Sequence, residues 1–309
     1  MILAVSARRR GGGDGYGQHP EGGYPLPTSG AVVTIPTYDG SGASIHPSVV
    51  DMGRPWNGYR WWFADTPYPA SNDTYENPSI FASNDRANWV VPAGVSNPLA
   101  PDPDGPAGPG FNSDVDLVWD PDEARLVVYW RDYIASRTPQ MYLRVAYSLE
   151  GSTWTVLPQD PAMVMTEPWQ SPMVSRVGPG QWRLWRYGDR NPPGMWVGPT
   201  SLGPWTFAGT VSLTGAVPAK VWHGDIIRHP SGQWIATFST TTTAYPAAVS
   251  DDGLTWHVGA ELGWPSYRPT MCVSTEAGMI DVWSSRQANY VNYYRHPEST
   301  WLDLAAGLP

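Results

Sequence analysis

The stretch Val249-Ser-Asp-Asp-Gly-Leu-Thr-Trp256 is a short polar turn that ends in tryptophan, and the chain contains four related stretches. They are Ala82-Ser-Asn-Asp-Arg-Ala-Asn-Trp89, Tyr147-Ser-Leu-Glu-Gly-Ser-Thr-Trp154, Gly198-Pro-Thr-Ser-Leu-Gly-Pro-Trp205 and Arg295-His-Pro-Glu-Ser-Thr-Trp301. Their tryptophans follow one another at intervals of 45 to 65 residues, which is enough chain for four short strands and their loops. A repeat of this kind can decide a whole fold, so we divide the chain around these turns.

Each turn lies at the same place in a longer unit. The unit starts with a short apolar run, such as His223-Gly-Asp-Ile-Ile227, and an aromatic run follows, such as Trp234-Ile-Ala-Thr-Phe238. A third run leads into the turn, and a fourth starts at the tryptophan. Such runs between Gly, Pro, Asp or Asn are typical of strands. With no credible amphipathic helix, the sequence predicts an all-β fold, a five-bladed β-propeller of four-stranded antiparallel blades over residues 46–309. The alternative is a β-sandwich, which has no reason to repeat one order of runs five times.

Residues 1–45 lie outside the repeat and form a separate region in this prediction. The Gly- and Pro-rich stretch up to Gly30 is expected to be an extended, flexible arm. Ala31-Val-Val-Thr-Ile35 is predicted as one strand, which could join a blade or pair with another protein.

Composition excludes several classes of function. The formal net charge is −9, whereas a nucleic-acid binder usually carries clustered Lys and Arg. No run of 18 apolar residues could span a membrane, and the first ten residues have their charges after the apolar piece, unlike a signal peptide. The single cysteine, Cys272, excludes an intrachain disulfide and a cysteine-cluster metal site.

The turns at Trp154 and Trp256 resemble the Asp-box of sialidase-like propellers. In such a turn an Asp or Ser side chain accepts backbone N–H groups, Gly adopts a positive φ, and Trp packs between sheets. We therefore expect a scaffold role for Asp251, Asp252 and Trp256. Stacking of Trp256 on a sugar is the alternative.

The long loops predict which face of the propeller carries the site. They lead into the first and third strands of the blades, on the face opposite the tryptophan turns, and functional residues concentrate on such loops. The first residues of the five inner strands should converge there at the channel mouth: His46, Asp114, Ser171, His223 and Arg268. Two residues further, on the same strand face, come Ser48, Asp116, Met173, Asp225 and Thr270. Residues of the long loops that could line the rim are Glu76, Glu167, Trp169 and Trp222.

Several chemistries remain open for these residues. Asp114 or Asp116 could act as the base of a glycoside hydrolase with Glu76 or Glu167 as the acid, since that reaction needs two carboxyl groups about 5–10 Å apart. The predicted substrate-binding residues are His46, Trp169, Trp222, His223, Asp225 and Arg268. His223 and Asp225 could instead form a channel hydrogen-bond network or bind a metal ion or water. Arg268 is expected to neutralise the carboxylates. No cofactor or metal is predicted.

Six segments carry a resemblance to bacterial and actinobacteriophage propeller proteins related to five-bladed glycosidases. They are His46-Pro-Ser-Val-Val50, Gly58-Tyr-Arg-Trp-Trp-Phe-Ala-Asp-Thr-Pro-Tyr68, Glu76-Asn-Pro-Ser-Ile80, Asn84-Asp-Arg-Ala-Asn-Trp89, Ser113-Asp-Val-Asp116 and Trp222-His-Gly-Asp225. The resemblance implies a minor tail protein, located in the virion tail in several copies, that binds a host cell-envelope glycan. Residues 1–45 would then anchor it to other tail proteins.

The resemblance also implies what a glycosidase of this type would need. Such enzymes use an Asp base, an Asp helper and a Glu acid at successive inner strands, where this chain has His46, Asp114 and Ser171. Only Asp114 matches. The main expectation is therefore a glycan-binding tail protein. A glycoside hydrolase acting on a surface polysaccharide and a purely structural tail component are the alternatives.

Overall fold

The computed structural model describes residues 29–105, 108–136, 141–158, 164–165, 170–188, 193–218, 221–239, 245–262, 267–286 and 290–306. These residues form five antiparallel sheets in a ring, as the repeat predicted. Blade 1 contains β2 (Ser48–Trp56), β3 (Tyr59–Asp65) and β4 (Ser79–Ser83), with a single β-bridge between Ala82 and Val90 in the fourth position. Two 3-10 turns, Pro69–Ser71 and Asp73–Tyr75, lie in the loop before β4.

The other blades follow in chain order. Blade 2 contains β5 (Phe111–Asp120), β6 (Arg125–Tyr133), β7 (Met141–Ser148) and β8 (Thr155–Val156), and β9 (Val164–Met165) also pairs with β7. Blade 3 contains β10 (Pro172–Gly178), β11 (Gln181–Arg186), β12 (Gly194–Gly198) and β13 (Thr206–Thr210). Blade 4 contains β15 (His223–Arg228), β16 (Trp234–Ser239), β17 (Pro246–Ser250) and β18 (Thr255–Glu261), with β14 (Ser212–Gly215) parallel to β18.

The fifth blade closes the ring with strands from both ends of the described chain. Its inner three strands are β19 (Pro269–Val273), β20 (Met279–Arg286) and β21 (Tyr290–Pro297). Its fourth is β1 (Val32–Val33), which pairs antiparallel with β21. The predicted strand near residue 32 thus joins a blade. The expectation that Trp301 begins a fourth strand, and that the chain lacks helices, is wrong. Trp301 lies in α1 (Ser299–Ala306), which packs on β17 and β18, because β1 already occupies the outer edge of the blade.

The hydrophobic core is divided among the joints of the ring. In the described residues, one buried cluster lies between each pair of neighbouring blades. The clusters contain, from neighbouring blades, Trp62 and Trp130, Tyr129 and Trp182, Trp185 and Trp234, Ile235 and Val282, and Trp283 and Phe63. Five clusters between five sheets are the arrangement of a closed propeller, whereas a sandwich has a single central layer.

The turns at Trp256 and Trp89 are held by side-chain hydrogen bonds to the backbone, as the sequence indicated for Asp252. Asp251, for which the same role was expected, is exposed and lies 3.4 Å from Gln233 Nε2 instead. Asp252 Oδ1 accepts the backbone N–H groups of Leu254 and Thr255, both at 2.7 Å, and Gly253 has a φ of +77°. The Trp256 ring is buried, and its Nε1 donates to the Gly253 carbonyl. Asp85 in blade 1 accepts backbone N–H groups in the same manner. Burial of Trp256 is inconsistent with sugar stacking at this position.

A belt of hydrogen bonds ties the inner strands together just below the channel mouth. We call Ser48, Asp116, Met173, Asp225 and Thr270 the interblade belt. Four of these side chains accept a backbone N–H from the inner strand of the next blade: Ser48 from Leu117, Asp116 from Val174, Asp225 from Met271 and Thr270 from Val49. At the fifth joint, the Met173 sulfur lies beside Gly224. The belt therefore fixes the inner strands around the site above it.

The described part of the chain has no helix of the length and hydropathy that a membrane span requires.

Candidate functional site

Five side chains meet at the channel mouth, where the inner strands begin. His46, Asp114, Ser171, His223 and Arg268 come together as the sequence predicted, with Asp114 at the centre. Asp114 Oδ1 accepts from Ser171 Oγ at 3.2 Å and from Arg268 Nη1 at 3.3 Å, and it lies 2.9 Å from His223 Nδ1. All five are at most 2% exposed. The site is thus a buried polar cluster built by every blade.

A strained β-bulge aims Asp114 at this cluster. The pairing of β5 with β6 is interrupted between Ser113 and Asp116, and Asp114 has a φ of +59°, in the left-handed region. A non-glycine residue rarely adopts this conformation, and such outliers gather at functional sites. A bulge also re-aims side chains. The bulge separates Asp114, which faces the mouth, from Asp116, which faces the next blade.

The Arg131 guanidinium and a hydrogen bond from His223 hold the Asp114 carboxylate ionised. Burial alone would raise the pKa of Asp114, but Arg131 and the His223 hydrogen bond outweigh burial and hold that pKa well below its ordinary value. Arg131 Nη2 lies 2.9 Å from Asp114 Oδ2 and also donates to Ser113 Oγ. The carboxylate is therefore a fixed negative charge with both oxygens occupied.

Hydrogen bonds orient the two histidine rings around that charge. His46 Nδ1 lies 2.8 Å from Thr66 Oγ1, and His223 Nδ1 lies 2.8 Å from Ser171 Oγ. The Nε2 atoms of both rings are buried and have no hydrogen-bond partner. Burial lowers the pKa of both histidines, and Asp114 opposes burial only in part, so the imidazoles are neutral at pH 7.

Among the described residues, His46, Asp114 and His223 form a group whose potential ligand atoms lie within 4.8 Å of one another. Neutral imidazole nitrogens and a carboxylate oxygen are common ligands of divalent cations, and a ligating histidine usually donates its other N–H to a fixed acceptor. The buried Nε2 of His223 fits such a cation. His46 Nδ1 accepts the Asp114 backbone N–H at 3.3 Å, so its Nε2, which lies 3.6 Å from Asp114 Oδ1, would bind a cation only after the ring proton moves to Nδ1. The guanidinium groups of Arg131 and Arg268 oppose it electrostatically, because both contact the same carboxylate.

Glu76 supplies the second carboxyl group next to the cluster. It is 6% exposed, and burial, with the charge of Asp114, raises its pKa well above its ordinary value, while Arg131 opposes the shift. The two carboxyl groups thus have pKa values pushed apart, which is the pattern of a proton-transfer group beside a permanently charged one. The sequence suggested Glu76 as a residue of the rim, whereas the structure buries it; its role as an acid stays a prediction.

Aromatic rings form a wall beside the two histidines. The Trp222 ring is parallel to His223 within 9°, and the Tyr267 ring centroid lies 4.7 Å from that of His223 and 5.9 Å from that of His46. Sequence analysis did not identify Tyr267 or Arg131. Tyr267 directly precedes the first inner-strand residue of its blade, as Trp222 does in blade 4, and this shared position was the available signal.

Three predicted roles conflict with the geometry. Asp116 was expected to act as a base and Asp225 to bind substrate at the mouth, but both carboxylates belong to the interblade belt and accept backbone N–H groups there. For Asp225 this fits the channel hydrogen-bond network that the sequence left open. Arg268 was expected to contact substrate, but its side chain is buried beneath Asp114 and donates to it. Its expected neutralisation of a carboxylate fits this contact. Glu167 and Trp169 lie outside the described residues, so their roles stay predictions.

No family model matches the chain. An A type blood N-acetyl-α-D-galactosamine deacetylase from Flavonifractor plautii is 40% identical over 114 residues, which are 36% of this chain and 14% of the deacetylase. The chain therefore matches only a small part of that relative.

Solved structures share the fold over most of the chain. A crystal structure of an N-acetylgalactosamine deacetylase from F. plautii, in complex with blood group B trisaccharide, has a TM-score of 0.70 and 20% identity, covering 89% of this chain and 96% of that one. An α-L-arabinanase from Penicillium chrysogenum, complexed with arabinobiose, has a TM-score of 0.55 and 13% identity, with 84% and 79% covered. Because the identities are this low, the structural similarity shows only that the chain shares the five-bladed propeller fold.

These comparisons correct the expected function. The expectation of a phage tail protein is wrong, because the proteins found by sequence and by structure are sugar-active propellers, including a deacetylase. The tail partners of residues 1–45 and the virion-tail location rested on that expectation and gain no support. The expected resemblance to glycosidase propellers is confirmed at the level of fold.

Proposed function

We propose that this chain is a sugar-active hydrolase that removes the acyl group from an N-acylated amino sugar at the mouth of the propeller. The observation that carries the proposal is the buried cluster of His46, Asp114 and His223, whose potential ligand atoms lie within 4.8 Å of one another, with Glu76 close enough to Asp114 for the Asp114 charge to raise the pKa of Glu76. The F. plautii relative supports the substrate class, since its name gives an N-acetyl sugar as substrate.

The state of Asp114 favours amide hydrolysis over cleavage of a glycosidic bond. A glycosidase needs one carboxyl group as acid and a second, accessible one as base or nucleophile. Asp114 is fully buried, accepts from Arg131 and Arg268, and has a lowered pKa, so it is a weak and shielded base. Among the residues that the structure describes, Glu76 is the second carboxyl group next to the cluster, and amide hydrolysis can proceed with a single proton-transfer carboxyl group.

The residues then have separate roles in the proposed reaction. Ionised Glu76 takes a proton from the attacking water and returns it to the leaving amine, for which a raised pKa is suited. The Tyr267 hydroxyl donates to the developing oxyanion, and the Trp222 ring packs against the sugar. Asp114 orients His223. A divalent cation held by His46, Asp114 and His223 would polarise the acyl carbonyl and lower the pKa of water.

The proposal is tested by incubating the purified chain with N-acetylgalactosamine- and N-acetylglucosamine-terminated oligosaccharides and quantifying released acetate. We expect acetate release that falls at least 100-fold in His223→Ala and Asp114→Asn and that decreases after treatment with EDTA. Asp251→Asn, an exposed turn residue, is the matched control and should be unaffected. The proposal is contradicted if none of these oligosaccharides releases acetate.

Glycoside hydrolysis is the second candidate, because Glu76 and Asp114 have pKa values shifted in opposite directions. In that reaction Glu76 would act as the general acid. Its product is a new reducing end without acetate, so a reducing-sugar assay on the same samples separates the two reactions. Release of reducing sugar that is lost in Asp114→Asn would favour this candidate.

A further inference from the structure

We propose that Arg268 is a positioning residue that holds the strained bulge at the Asp114 carboxylate and the Val115 carbonyl, so that the Asp114 carboxylate faces both histidines. The functional consequence rests on the proposed function, in which Asp114 organises the reaction centre. The positioning itself is a property of the fold and can be measured without activity.

The inference starts from the conformation of Asp114. In a regular strand, successive side chains point to opposite faces, so a residue two positions before Asp116 would share its direction. Asp116 faces Val174 in blade 3, whereas Asp114 contacts His223 of blade 4. The φ of +59° at Asp114 produces this difference. A side chain in this conformation needs contacts that prevent the backbone from relaxing.

Arg268 provides such contacts at two points of the bulge. Its Nη1 donates to Asp114 Oδ1 at 3.3 Å, and its Nη2 donates to the Val115 carbonyl at 2.6 Å. One planar group therefore fixes both the Asp114 carboxylate and the backbone carbonyl of the next residue, Val115. A guanidinium suits this role because its donors have a rigid, forked geometry.

The backbone of Arg268 is anchored as well. Its N–H donates to Ser285 Oγ at 3.2 Å, and its carbonyl accepts from the Ser285 N–H at 3.0 Å. The backbone of Arg268 is thus fixed in blade 5, while its guanidinium group binds the bulge in blade 2. Arg268 is 1% exposed, so it acts on the site through Asp114 rather than by touching substrate.

Arg131 differs from Arg268 in its connection. It belongs to β6, which pairs directly with the bulged strand, and it binds Asp114 Oδ2, Ser113 Oγ and the side chain of Gln170. Its contacts with Asp114 and Ser113 lie within blade 2. Arg268 reaches the bulge from another blade, so we expect its loss to release the Val115 carbonyl and to let Asp114 turn away from His223.

The experiment compares Arg268→Lys and Arg268→Ala with the wild type by crystallography and by ¹⁵N NMR of the histidine rings. We expect Asp114 to leave the left-handed region, the contact between Asp114 Oδ1 and His223 Nδ1 to lengthen beyond 3.5 Å, and the His223 ring signals to shift in both variants. Lysine should not rescue, because a single ammonium cannot hold both acceptors. Arg268→Lys keeps the positive charge, so it tests the positioning role even if Arg268→Ala does not fold.

Activity provides the second readout. In both Arg268 variants we expect kcat for acetate release to be about 100-fold lower than in the wild type, with KM changed less than threefold. Added guanidinium ion should raise the kcat of Arg268→Ala at least tenfold. The control is Arg86→Ala, which removes another buried arginine paired with Asp281, between blades 1 and 5. It should leave the His223 signals unchanged.

Two failures are distinguishable. If the wild type releases no acetate, the proposed function fails, while the crystallographic comparison still decides the role of Arg268. If Asp114 keeps a φ near +60° and its contact with His223 in both Arg268 variants, the positioning role is overturned whatever the activity.

Discussion

Asp116 and Val174 belong to neighbouring blades, and the Asp116 carboxylate accepts a 2.6 Å hydrogen bond from the Val174 backbone N–H. Asp116 Oδ1 also accepts from Ser48 Oγ, so one buried side chain links blades 1, 2 and 3. The equivalent Asp225 links blades 4 and 5 through Met271 and Thr270. Carboxylates that the sequence suggested for chemistry therefore close the ring instead.

Replacing Asp116 by alanine should destabilise the protein without a specific effect on the reaction centre. The change leaves the Val174 N–H without its buried acceptor, which typically costs about 1–3 kcal/mol, and more where a charged partner is removed. Urea unfolding of Asp116→Ala measures this loss. Asp251→Ala, at an exposed turn position, should change the free energy of unfolding by less than about 0.5 kcal/mol. Equal stability of Asp116→Ala and the wild type would disprove the structural role of the belt.

The pH dependence of kcat should reveal which proton-transfer role Glu76 has. As the base of amide hydrolysis, Glu76 must be ionised, so activity should rise as pH increases through its raised pKa. Glu76→Gln should lose that limb and at least 100-fold in kcat. The exposed Glu123→Gln is the control. An activity that falls with increasing pH through the same range would indicate a general acid and favour glycoside hydrolysis.

Tyr267→Phe should lower kcat by about 10- to 100-fold with little change in stability. The phenyl ring keeps the contacts with His46 and His223, so the loss isolates the hydroxyl group. Burial raises the pKa of Tyr267, so its hydroxyl stays protonated over the whole assay range and adds no titration limb. Steady-state kinetics with Tyr147→Phe as control tests this, and an unchanged kcat would remove Tyr267 from the oxyanion site.

Asp65 should make the protein less stable as pH rises. Burial, together with the charge of Asp39, raises its pKa from 3.8 to about 7, and Ser44 opposes the shift. The folded state holds the Asp65 proton more tightly than the unfolded chain does. The stability that protonated Asp65 contributes is therefore fully present below pH 4 and is lost between about pH 4 and 7. At 1.36 kcal/mol per pKa unit, ionisation then costs roughly 4 kcal/mol at pH 8.

Asp65→Asn should therefore be more stable than the wild type at pH 8 by roughly this amount and nearly equal to it at pH 4. Urea unfolding at both pH values measures the difference, with the exposed Asp251→Asn as reference. A stability difference that does not change between the two pH values would show that Asp65 does not titrate in this range.

The ring and its mouth could be predicted from the sequence because both depend on local, repeated patterns. Five tryptophan turns implied five blades, and the first residues of the inner strands then had to converge. The separation of Asp114 from Asp116 could not be predicted, because a period of two places both on one strand face and a bulge leaves no clear mark in the sequence. The fourth strand of blade 5 is β1 rather than a strand after β21. This pairing joins segments that are far apart in the sequence, so no local pattern predicts it.

The predicted function failed for a different reason. It rested on a resemblance strongest in the first blade, and residues of a shared scaffold do not identify a reaction. His223 shows what the structure adds. Its ring stacks on Trp222 of its own blade and contacts Asp114, Ser171 and Tyr267, which come from three other blades.

The central claim is that the cluster of His46, Asp114 and His223 hydrolyses the acyl group of an amino sugar. The most direct measurement is ¹H NMR of an N-acetylgalactosamine-terminated trisaccharide incubated with the wild type or with His223→Ala. We expect the wild type to produce free acetate and an equal amount of sugar amine with the trisaccharide chain intact, and His223→Ala to produce neither. Cleavage of the trisaccharide without acetate, or equal acetate from both proteins, would contradict the central claim.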